Sequence, residues 1–346
     1  LRTERVFNFG AGPAVLPESV LSQIQKDLMT LPGVGMSILE VSHRSSVFEE
    51  ILGRVEANIR ELARVPSNYH VFFLQGGASQ QFSMVPMNLL GKAETADYCL
   101  TGVWAKKAAM EAQKFGNVNI AATTEQEDFS RLPSVSEFRL TKGASYVHLT
   151  SNNTIVGTQW RDIPELDDCT FVVDASSDIF SRPIDFSRFG LVYAGAQKNL
   201  GPAGVTVVIV RNDLVRPLTG LLPTLMCYET FVRSGSLYNT PPVFAIYVMA
   251  LVTDWIREAG GLLEMERRNE RKARALYEAV DRRSFYQGTA KVDSRSWMNI
   301  TFRLPNSDLD ALFAREALSA GLSGLEGHRS VGGLRASIYN AFPETG

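Results

Sequence analysis

The middle of the chain alternates between short, continuously apolar runs and longer segments with helical periodicity. The apolar runs occupy 71–74, 96–101, 118–122, 146–149, 171–174, 191–194 and 205–210. Such runs are typical of strands that are buried on both faces. Amphipathic segments follow two of them, at 80–90 and 104–115. This alternation predicts an α/β fold with a mostly parallel sheet flanked by helices. The last two runs are joined by a short turn, so we expect 205–210 to be antiparallel.

Both ends of the chain depart from this pattern. Residues 6–13 are aromatic and glycine-rich, which is typical of an extended arm, and helices are predicted at 16–29 and 47–63. The C-terminal third has helical segments at 243–259, 263–279 and 309–320 and strand-like runs at 298–302 and 334–338. We therefore predict three parts: an N-terminal arm that packs with the small domain (1–15), a large cofactor-binding domain (16–256) and a small C-terminal α+β domain (257–346).

Composition and charge exclude several classes of protein. The 346 residues are 45% hydrophobic and 21% charged, as in an ordinary globular protein with a large core. The net charge of -2 gives no electrostatic field for nucleic acid or an anionic membrane surface. No apolar segment approaches the roughly 18 residues that span a bilayer, and residues 1–5 lack the apolar run of a signal peptide. We expect a cytoplasmic protein.

The cysteines and histidines point to neither disulfides nor a metal site. Cys99, Cys169 and Cys227 are far apart, and the first two lie in apolar runs. We expect these two to be buried free thiols in a reducing compartment. The four histidines show no paired spacing, so no metal site is predicted.

One lysine, Lys198, lies in a turn of small residues between the last two predicted strands of the large sheet. The turn, 193–204, reads YAGAQKNLGPAG. A lysine that forms an imine with a flat cofactor needs close approach, partial desolvation and a fixed direction, and small neighbours permit all three. The alternative is a glycine–proline hairpin whose lysine points to water.

Three further features predict a ligand at the same edge of the sheet. Asp174 ends a buried strand, where a carboxylate can hold a proton on a heterocyclic nitrogen; the alternative is a helix N-cap. The run Gly76-Gly77-Ala78-Ser79 joins a strand to a helix, where backbone N–H groups attract an anion; the alternative is a plain tight turn. Trp104 opens the next helix and can stack on a flat cofactor, although tryptophan in such a place is more often part of the core.

Two histidine–arginine pairs lie in loops. His328 and Arg329 belong to a glycine-rich loop, Arg335 starts the strand that follows, and His43 and Arg44 follow a short apolar run. Arginine makes bidentate contacts with carboxylates and phosphates, so these groups suit a doubly anionic substrate. The alternative for each pair is a surface ion pair.

Read together, these positions resemble the phosphoserine aminotransferases, pyridoxal 5'-phosphate enzymes of the class V aminotransferase group with the type I fold. The matching stretches are 7–9, 12–14, 40–44, 181–185, 193–204, 239–242, 327–329 and 335–341, in the expected order. The resemblance implies a cytoplasmic homodimer with shared active sites. It also implies amino transfer between L-glutamate and 3-phosphohydroxypyruvate in serine biosynthesis, and it leaves transamination of phosphohydroxythreonine in pyridoxine synthesis open.

The resemblance also implies a role for each matching residue. Lys198 is the Schiff-base lysine, and Asp174 is the partner of the pyridine nitrogen. The other implied cofactor contacts are Trp104 on the ring, Thr154, Gln197, Ala78 and Ser79, and Asn239 and Thr240 from across the dimer interface. Arg335 is the implied anchor of the α-carboxylate. The implied receivers of the substrate's phosphate or of glutamate's distal carboxylate are His43, Arg44, His328 and Arg329.

Two departures from the family and three rival interpretations accompany this expectation. Several bacterial members carry arginine where this chain has Ser79, and members usually continue into another helix beyond position 346. Alanine–glyoxylate transamination is one rival, but two cationic pairs suit a dianion better than alanine. Cysteine desulfuration is disfavoured because no glycine-rich loop near the C-terminal domain carries a cysteine. A non-catalytic protein that binds a phosphorylated metabolite would need only the cationic loops.

Overall fold

The computed structural model describes residues 5–217 and 222–346, so the first four residues of the predicted arm lie outside the described residues. Within these ranges the helices are α1 (Glu18–Asp27), α2 (Ser46–Ala63), α3 (Gly77–Leu89), α4 (Val103–Ala112), α5 (Tyr228–Arg233), α6 (Val243–Glu258), α7 (Gly261–Asp281) and α8 (Ser307–Ser319). The strands are β1 (Phe7–Asn8), β2 (Tyr69–Leu74), β3 (Thr95–Leu100), β4 (Asn117–Thr123), β5 (Val147–Thr150), β6 (Asn152–Asn153), β7 (Thr158–Gln159), β8 (Phe171–Asp174), β9 (Phe189–Gly195), β10 (Thr206–Arg211), β11 (Gln287–Gly288), β12 (Asn299–Arg303), β13 (Leu322–Ser323) and β14 (Leu334–Ser337).

Seven of these strands form the central sheet, in the order β2-β10-β9-β8-β5-β3-β4. Strand β10 is antiparallel to both of its neighbours, and the other adjacent pairs are parallel. The predicted mostly parallel sheet and its antiparallel member are therefore confirmed. Both faces are buried: Val172 and Val208 pack into one hydrophobic cluster, whereas Val173 and Val207 pack into the other. This alternation explains why the strands appear in the sequence as unbroken apolar runs.

The parallel strands place their carboxyl ends at one edge of the sheet. Strand β8 ends at Asp174, β5 leads into the hairpin β6–β7, β3 leads into α4, β2 leads into α3, and β9 ends at the lysine turn. Ligands of open α/β sheets bind at this edge because loops from several strands converge there. The topology thus brings the candidate residues of these loops together.

A second, smaller unit covers this edge. Strands β11, β12 and β14 form an antiparallel sheet that packs with α7 and α8. The N-terminal arm joins it, because β1 pairs with β13 and Phe9 packs against Phe342 with ring centroids 4.4 Å apart. Helices α6 and α7 connect the two units. The boundaries at 15/16 and 256/257 stay predictions.

The structure differs from the sequence prediction in a few places. The predicted helices and strands are present, with ends shifted by up to three residues, but the short elements β6, β7, β11, β13 and α5 have no prediction. Cys99 and Cys227 are buried free thiols, whereas the prediction of a buried Cys169 is wrong. Cys169 is half-buried because it follows the acidic turn at Asp167 and Asp168, just before β8 begins. Among the described residues no helix is both long and apolar enough to cross a membrane.

Candidate active site

A cavity of about 490 Å³ opens where the carboxyl edge of the large sheet meets the arm and the small unit. It brings together nine residues that the sequence singled out: Ala78, Ser79, Trp104, Thr154, Asp174, Gln197, Lys198, His328 and Arg335. Three larger cavities among the described residues, of about 750, 600 and 570 Å³, contain none of the predicted site residues. We therefore place the candidate active site in the smaller cavity, because it is the one that collects titratable groups with a shared chemistry.

Lys198 lies in a tight turn that the arm covers. The backbone N–H of Ala196 donates to Val205 O at 3.0 Å, which closes the turn between β9 and β10. Ala14 N–H donates to Gln197 O at 2.8 Å, so the arm crosses directly over the turn. At Gly12, whose φ is +140°, an added Cβ would lie 3.6 Å from Lys198 Cγ. The arm thus lies against the lysine side chain, and its backbone angle at this position favours glycine.

The electrostatic surroundings of Lys198 favour a reactive amine. Burial lowers the pKa of Lys198, Asp174 raises it and Arg335 lowers it, with a net pKa below the usual value. A lower pKa leaves a larger fraction of the amine neutral near pH 7, and only the neutral amine attacks a carbonyl carbon.

Asp174 is buried and held by one neighbouring serine. Its Oδ1 accepts hydrogen bonds from Ser176 N–H at 3.0 Å and Ser176 Oγ at 2.6 Å. Burial raises the pKa of Asp174, while these bonds and the charge of Lys198 lower it, and the net direction is upward. Residues 176–180 form turns rather than a helix, so the alternative of a helix N-cap is wrong.

The glycine run before α3 brings the N-terminus of this helix to the cavity wall. Gly76 and Gly77 have φ values of +95° and +68°, which favour glycine and let α3 begin abruptly at the cavity. No side chain among the described residues caps this helix. Its first N–H groups, together with Ala78 and Ser79 on the cavity wall, are therefore free to bind an anion.

Trp104 lines the cavity and packs against the edge of one hydrophobic core cluster. The side chain is half-buried, so it is not a fully buried core tryptophan. Its Nε1 donates to Thr154 Oγ1 at 3.3 Å, and Lys107 Nζ lies 4.8 Å from the ring centroid. The hydrogen bond fixes the indole plane, which gives the cavity a flat aromatic wall.

Arg335 and His328 form the cationic end of the cavity. Arg335 Nη1 donates to Thr154 O at 2.8 Å, and its buried Nε has no partner among the described residues. Burial lowers the pKa of Arg335. The guanidinium still remains charged, because the usual pKa of arginine lies far above neutral pH. Burial, Arg335, Arg329 and Lys107 lower the pKa of His328. A guanidinium with an unused donor in a cavity is suited to binding a carboxylate.

Five predicted site residues do not line this cavity: Asn239, Thr240, His43, Arg44 and Arg329. Asn239 lines a separate cavity of about 210 Å³, and Thr240 O accepts from Gln75 Nε2 at 3.1 Å. Arg44 and Arg329 are exposed, and the buried Nε2 of His43 has no partner among the described residues. The roles predicted for these five residues stay predictions.

Several residues of the cavity wall have no prediction from the sequence. Asn152, Ser176, Ser177 and Gly12 line it, together with Ala11, Pro13, Phe82, Thr150, Ile155, Ala203 and Gly204. A signal was present for Asn152, since it comes two residues after the end of β5 and therefore lies at the same edge of the sheet as Asp174. Ser176 and Ser177 follow Asp174 after the end of β8, where two serines are also typical of a helix cap.

The residues present fit pyridoxal phosphate. The cavity holds an amine with a lowered pKa, a buried carboxylate, a flat aromatic wall and an uncapped helix N-terminus. These four features match the aldehyde, the ring nitrogen, the ring face and the phosphate of that cofactor.

Comparisons with known proteins agree with this geometry. Residues 6–345 match the family model described as aminotransferase class-V. A phosphoserine aminotransferase of Herpetosiphon aurantiacus is 55% identical over 337 residues, which are 97% of this chain and 94% of the relative. The solved phosphoserine aminotransferase of Bacillus circulans subsp. alkalophilus superposes with a TM-score of 0.97 at 50% identity, covering 99% of this chain and 95% of that one. A pyridoxal-phosphate-bound phosphoserine aminotransferase of Trichomonas vaginalis gives a TM-score of 0.94 at 37% identity, covering 99% of this chain and 97% of that one.

Proposed function

The chain belongs to the phosphoserine aminotransferases, within the class V aminotransferases, and uses pyridoxal phosphate; from this we propose that it transfers the amino group of L-glutamate to 3-phosphohydroxypyruvate. The products are O-phospho-L-serine and 2-oxoglutarate. The observation that carries the proposal is the position of Arg335 and His328 in the same cavity as Lys198 and Asp174. This arrangement gives the reacting amine a neighbouring site for a substrate with two anionic groups.

The residues around Lys198 hold the cofactor and move protons. Pyridoxal phosphate, when bound, supplies an electron sink for the bonds of the substrate's α-carbon. Lys198 would hold the cofactor covalently through its amine, and the same amine, when free, would move a proton to and from the substrate's α-carbon. Asp174 would keep a proton on the ring nitrogen, Trp104 would stack on the ring, and the N-terminus of α3 would bind the phosphate.

Arg335 binds the α-carboxylate, which glutamate and the phosphorylated 2-oxo acid share. Its Nη1 is already held by Thr154 O, so the guanidinium is oriented before substrate arrives. The partnerless Nε provides a donor for a carboxylate oxygen. His328, beside Arg335, contacts the distal anionic group, which is a phosphate in one substrate and a carboxylate in the other.

The active form is a homodimer with shared sites. His43, Arg44, Asn239 and Thr240 do not line the cavity of their own chain, so they serve the cavity of a second copy. Support comes from exposed apolar side chains in the same two segments: Met36 and Leu39 near the first pair, and Leu225 and Tyr238 near the second. An exposed apolar surface of this kind favours association.

Two finer points belong to the same proposal. The phosphohydroxythreonine intermediate of pyridoxine synthesis also carries a phosphate and an α-carboxylate, so the same groups suit its transamination. The proposed location is the cytoplasm, and it is supported by the three free cysteines.

A screen of amino donors and acceptors on cofactor-loaded protein tests the proposal. We expect turnover of L-glutamate with 3-phosphohydroxypyruvate, and of O-phosphoserine with 2-oxoglutarate. Efficient turnover of alanine with glyoxylate, without turnover of phosphoserine, would replace the proposal with the rival transamination. Binding of phosphoserine without turnover by either pair would favour a non-catalytic binding protein.

A further inference from the structure

Asn299 is a fully buried amide in β12, between the large and the small unit. Its Oδ1 accepts from Asn152 Nδ2 at 2.8 Å, and its Nδ2 donates to Ser337 Oγ at 2.9 Å and to the Tyr339 hydroxyl at 3.2 Å. Each polar atom of this side chain is therefore paired. One amide thus bridges the hairpin β6–β7 of the large unit and β14 of the small unit.

On the large-unit side, the bridge ends at the wall of the active-site cavity. Asn152 lines the cavity, and its Nδ2 also donates to Ser177 Oγ, a second wall residue, at 2.8 Å. Ser296 Oγ donates to Asn152 Oδ1 at 2.5 Å and accepts from Asn299 N–H at 3.0 Å. These bonds leave a single orientation for both amides, because a flipped amide would place donor against donor.

On the small-unit side, the bridge ends beside the proposed carboxylate anchor. Ser337 lies two residues after Arg335 in β14, so the two side chains leave the strand on the same face. Arg335 Nη1 in turn donates to Thr154 O, and Thr154 lies two residues after Asn152. Three hydrogen bonds and two short stretches of chain thus form a closed ring. The bonds join Arg335 to Thr154, Asn152 to Asn299, and Asn299 to Ser337, and the chain connects the remaining neighbours.

Side-chain hydrogen bonds in this ring add to backbone contacts between the two units. Pairing within the small sheet sets Asn299 opposite Ser337 and Thr301 opposite Arg335. The backbone attaches this unit to the hairpin through Ser296 N–H, which donates to Gly157 O at 2.8 Å. Side chains add the bonds from Asn152 Nδ2 to Asn299 Oδ1 and from Thr301 Oγ1 to Val156 O at 3.0 Å. Buried hydrogen bonds are directional, so they favour one relative placement of the two units.

We propose that Asn299 is a positioning residue that holds Arg335 at the distance from the cavity wall at which its guanidinium meets the substrate's α-carboxylate. The inference rests on one part of the proposed function, which is the binding of the α-carboxylate by Arg335. Every amino-acid substrate carries that group, so the inference does not depend on which distal group the enzyme prefers.

The test compares Asn299→Ala with the wild type in steady-state kinetics and in cofactor binding. We expect KM for L-glutamate to rise on the order of tenfold to hundredfold, as for a displaced positioning contact, with a smaller change in kcat. The visible absorbance of the cofactor-loaded protein and its affinity for the cofactor stay unchanged, because Lys198, Asp174 and Trp104 are untouched. Calorimetric binding of 2-oxoglutarate gives the same comparison without turnover.

Asn58→Ala is the matched control. Asn58 is also a buried asparagine, and its Nδ2 donates to Thr253 Oγ1 at 3.1 Å and Asp254 Oδ1 at 2.7 Å, away from the cavity. We expect this variant to lose stability to a similar extent and to keep the wild-type KM. A rise of KM in both variants would show that Asn299 acts only through overall stability.

Ser337→Ala provides a milder second variant that removes one partner of the bridge. We expect a smaller rise in KM for Ser337→Ala than for Asn299→Ala. In the double variant the rise in KM should be smaller than the product of the two single-variant factors, because both changes break the same contact. Wild-type KM in Ser337→Ala and in every folded Asn299 variant would overturn the inference while leaving the proposed function standing. Absence of turnover by the wild type, with 2-oxoglutarate binding weakened by Asn299→Ala, would overturn the proposed function alone.

Discussion

The hydroxyl of Ser176 donates to Asp174 Oδ1 at 2.6 Å, and the Oγ of Ser176 accepts from Gly195 N–H at 3.2 Å. One small side chain thus ties the buried carboxylate to the start of the lysine turn. The contact stabilises the charged form of Asp174, which burial disfavours.

Ser176→Ala is expected to shift the pH dependence of the reaction. Loss of the hydroxyl bond raises the pKa of Asp174 further, so the carboxylate is ionised over a narrower range and the acid limb of the kcat/KM profile moves to higher pH. The measurement is a pH–rate profile. Ser187→Ala is the control, since Ser187 makes the same 2.6 Å bond to Asp185 on the surface. An acid limb at wild-type pH would contradict the assignment of Asp174.

Lys198→Ala is expected to abolish covalent attachment of the cofactor and the visible absorbance that accompanies it. Borohydride reduction followed by peptide mass analysis should label Lys198 in the wild type. Lys272 is the matched control: burial lowers its pKa to about 7, but its Nζ donates to three backbone carbonyls, Ile338, Tyr339 and Phe342. Label on Lys272 would mean that a lowered pKa alone, without the cavity, selects the lysine.

Trp104→Ala is expected to weaken cofactor binding on the order of tenfold, because aromatic stacking contributes about 0.5–1.5 kcal/mol beyond the buried area. Trp104→Phe should keep most of the affinity, since it retains a ring but loses the bond to Thr154. Cofactor dissociation can be measured by equilibrium dialysis. Trp297→Ala is the control, because this half-buried indole contacts Arg161 outside the cavity. Equal cofactor affinity in all variants would remove Trp104 from the site.

Gly12→Ala is expected to lower both stability and activity. A side chain at φ +140° is strained, and the added methyl group touches Lys198. Gly33→Ala is the matched control: its φ of +77° imposes a backbone cost, but nothing lies within 4 Å of the added Cβ. We expect each to lose about 1 kcal/mol in the free energy of unfolding, measured by urea denaturation. Only Gly12→Ala should lower kcat, and equal kcat in the two variants would contradict a role of the arm at the lysine.

The sequence predicted the central sheet and the residues at its carboxyl edge because both depend on local pattern. Buried parallel strands are unbroken apolar runs, so the positions of Asp174 and Lys198 at their ends follow directly. The hairpin β6–β7 was not predicted, because two-residue polar strands have no periodicity. The contact of Asn299 was not predicted for a different reason. Its partner Asn152 is 147 positions away, and no local sequence pattern indicates such a contact.

The five predicted residues outside the cavity show a second limit of the sequence. Their stretches match the family, but a match of stretches gives no distance between these side chains and Lys198. His328 and Arg329 show the same point at short range, since adjacent residues of one loop divide between the cavity wall and the exposed surface.

The arm over the lysine turn determines when, during synthesis of the chain, the cofactor site becomes complete. The arm leaves the ribosome before the large sheet and the small unit, but Ala11 O accepts its bond from the Tyr339 hydroxyl, 328 positions later. Strand β1 likewise has no pairing partner until β13 has been synthesised. The large sheet has all its strands long before that point, since domains fold as units during synthesis. We therefore expect nascent chains that end before β13 to fold their sheet and yet fail to retain the cofactor.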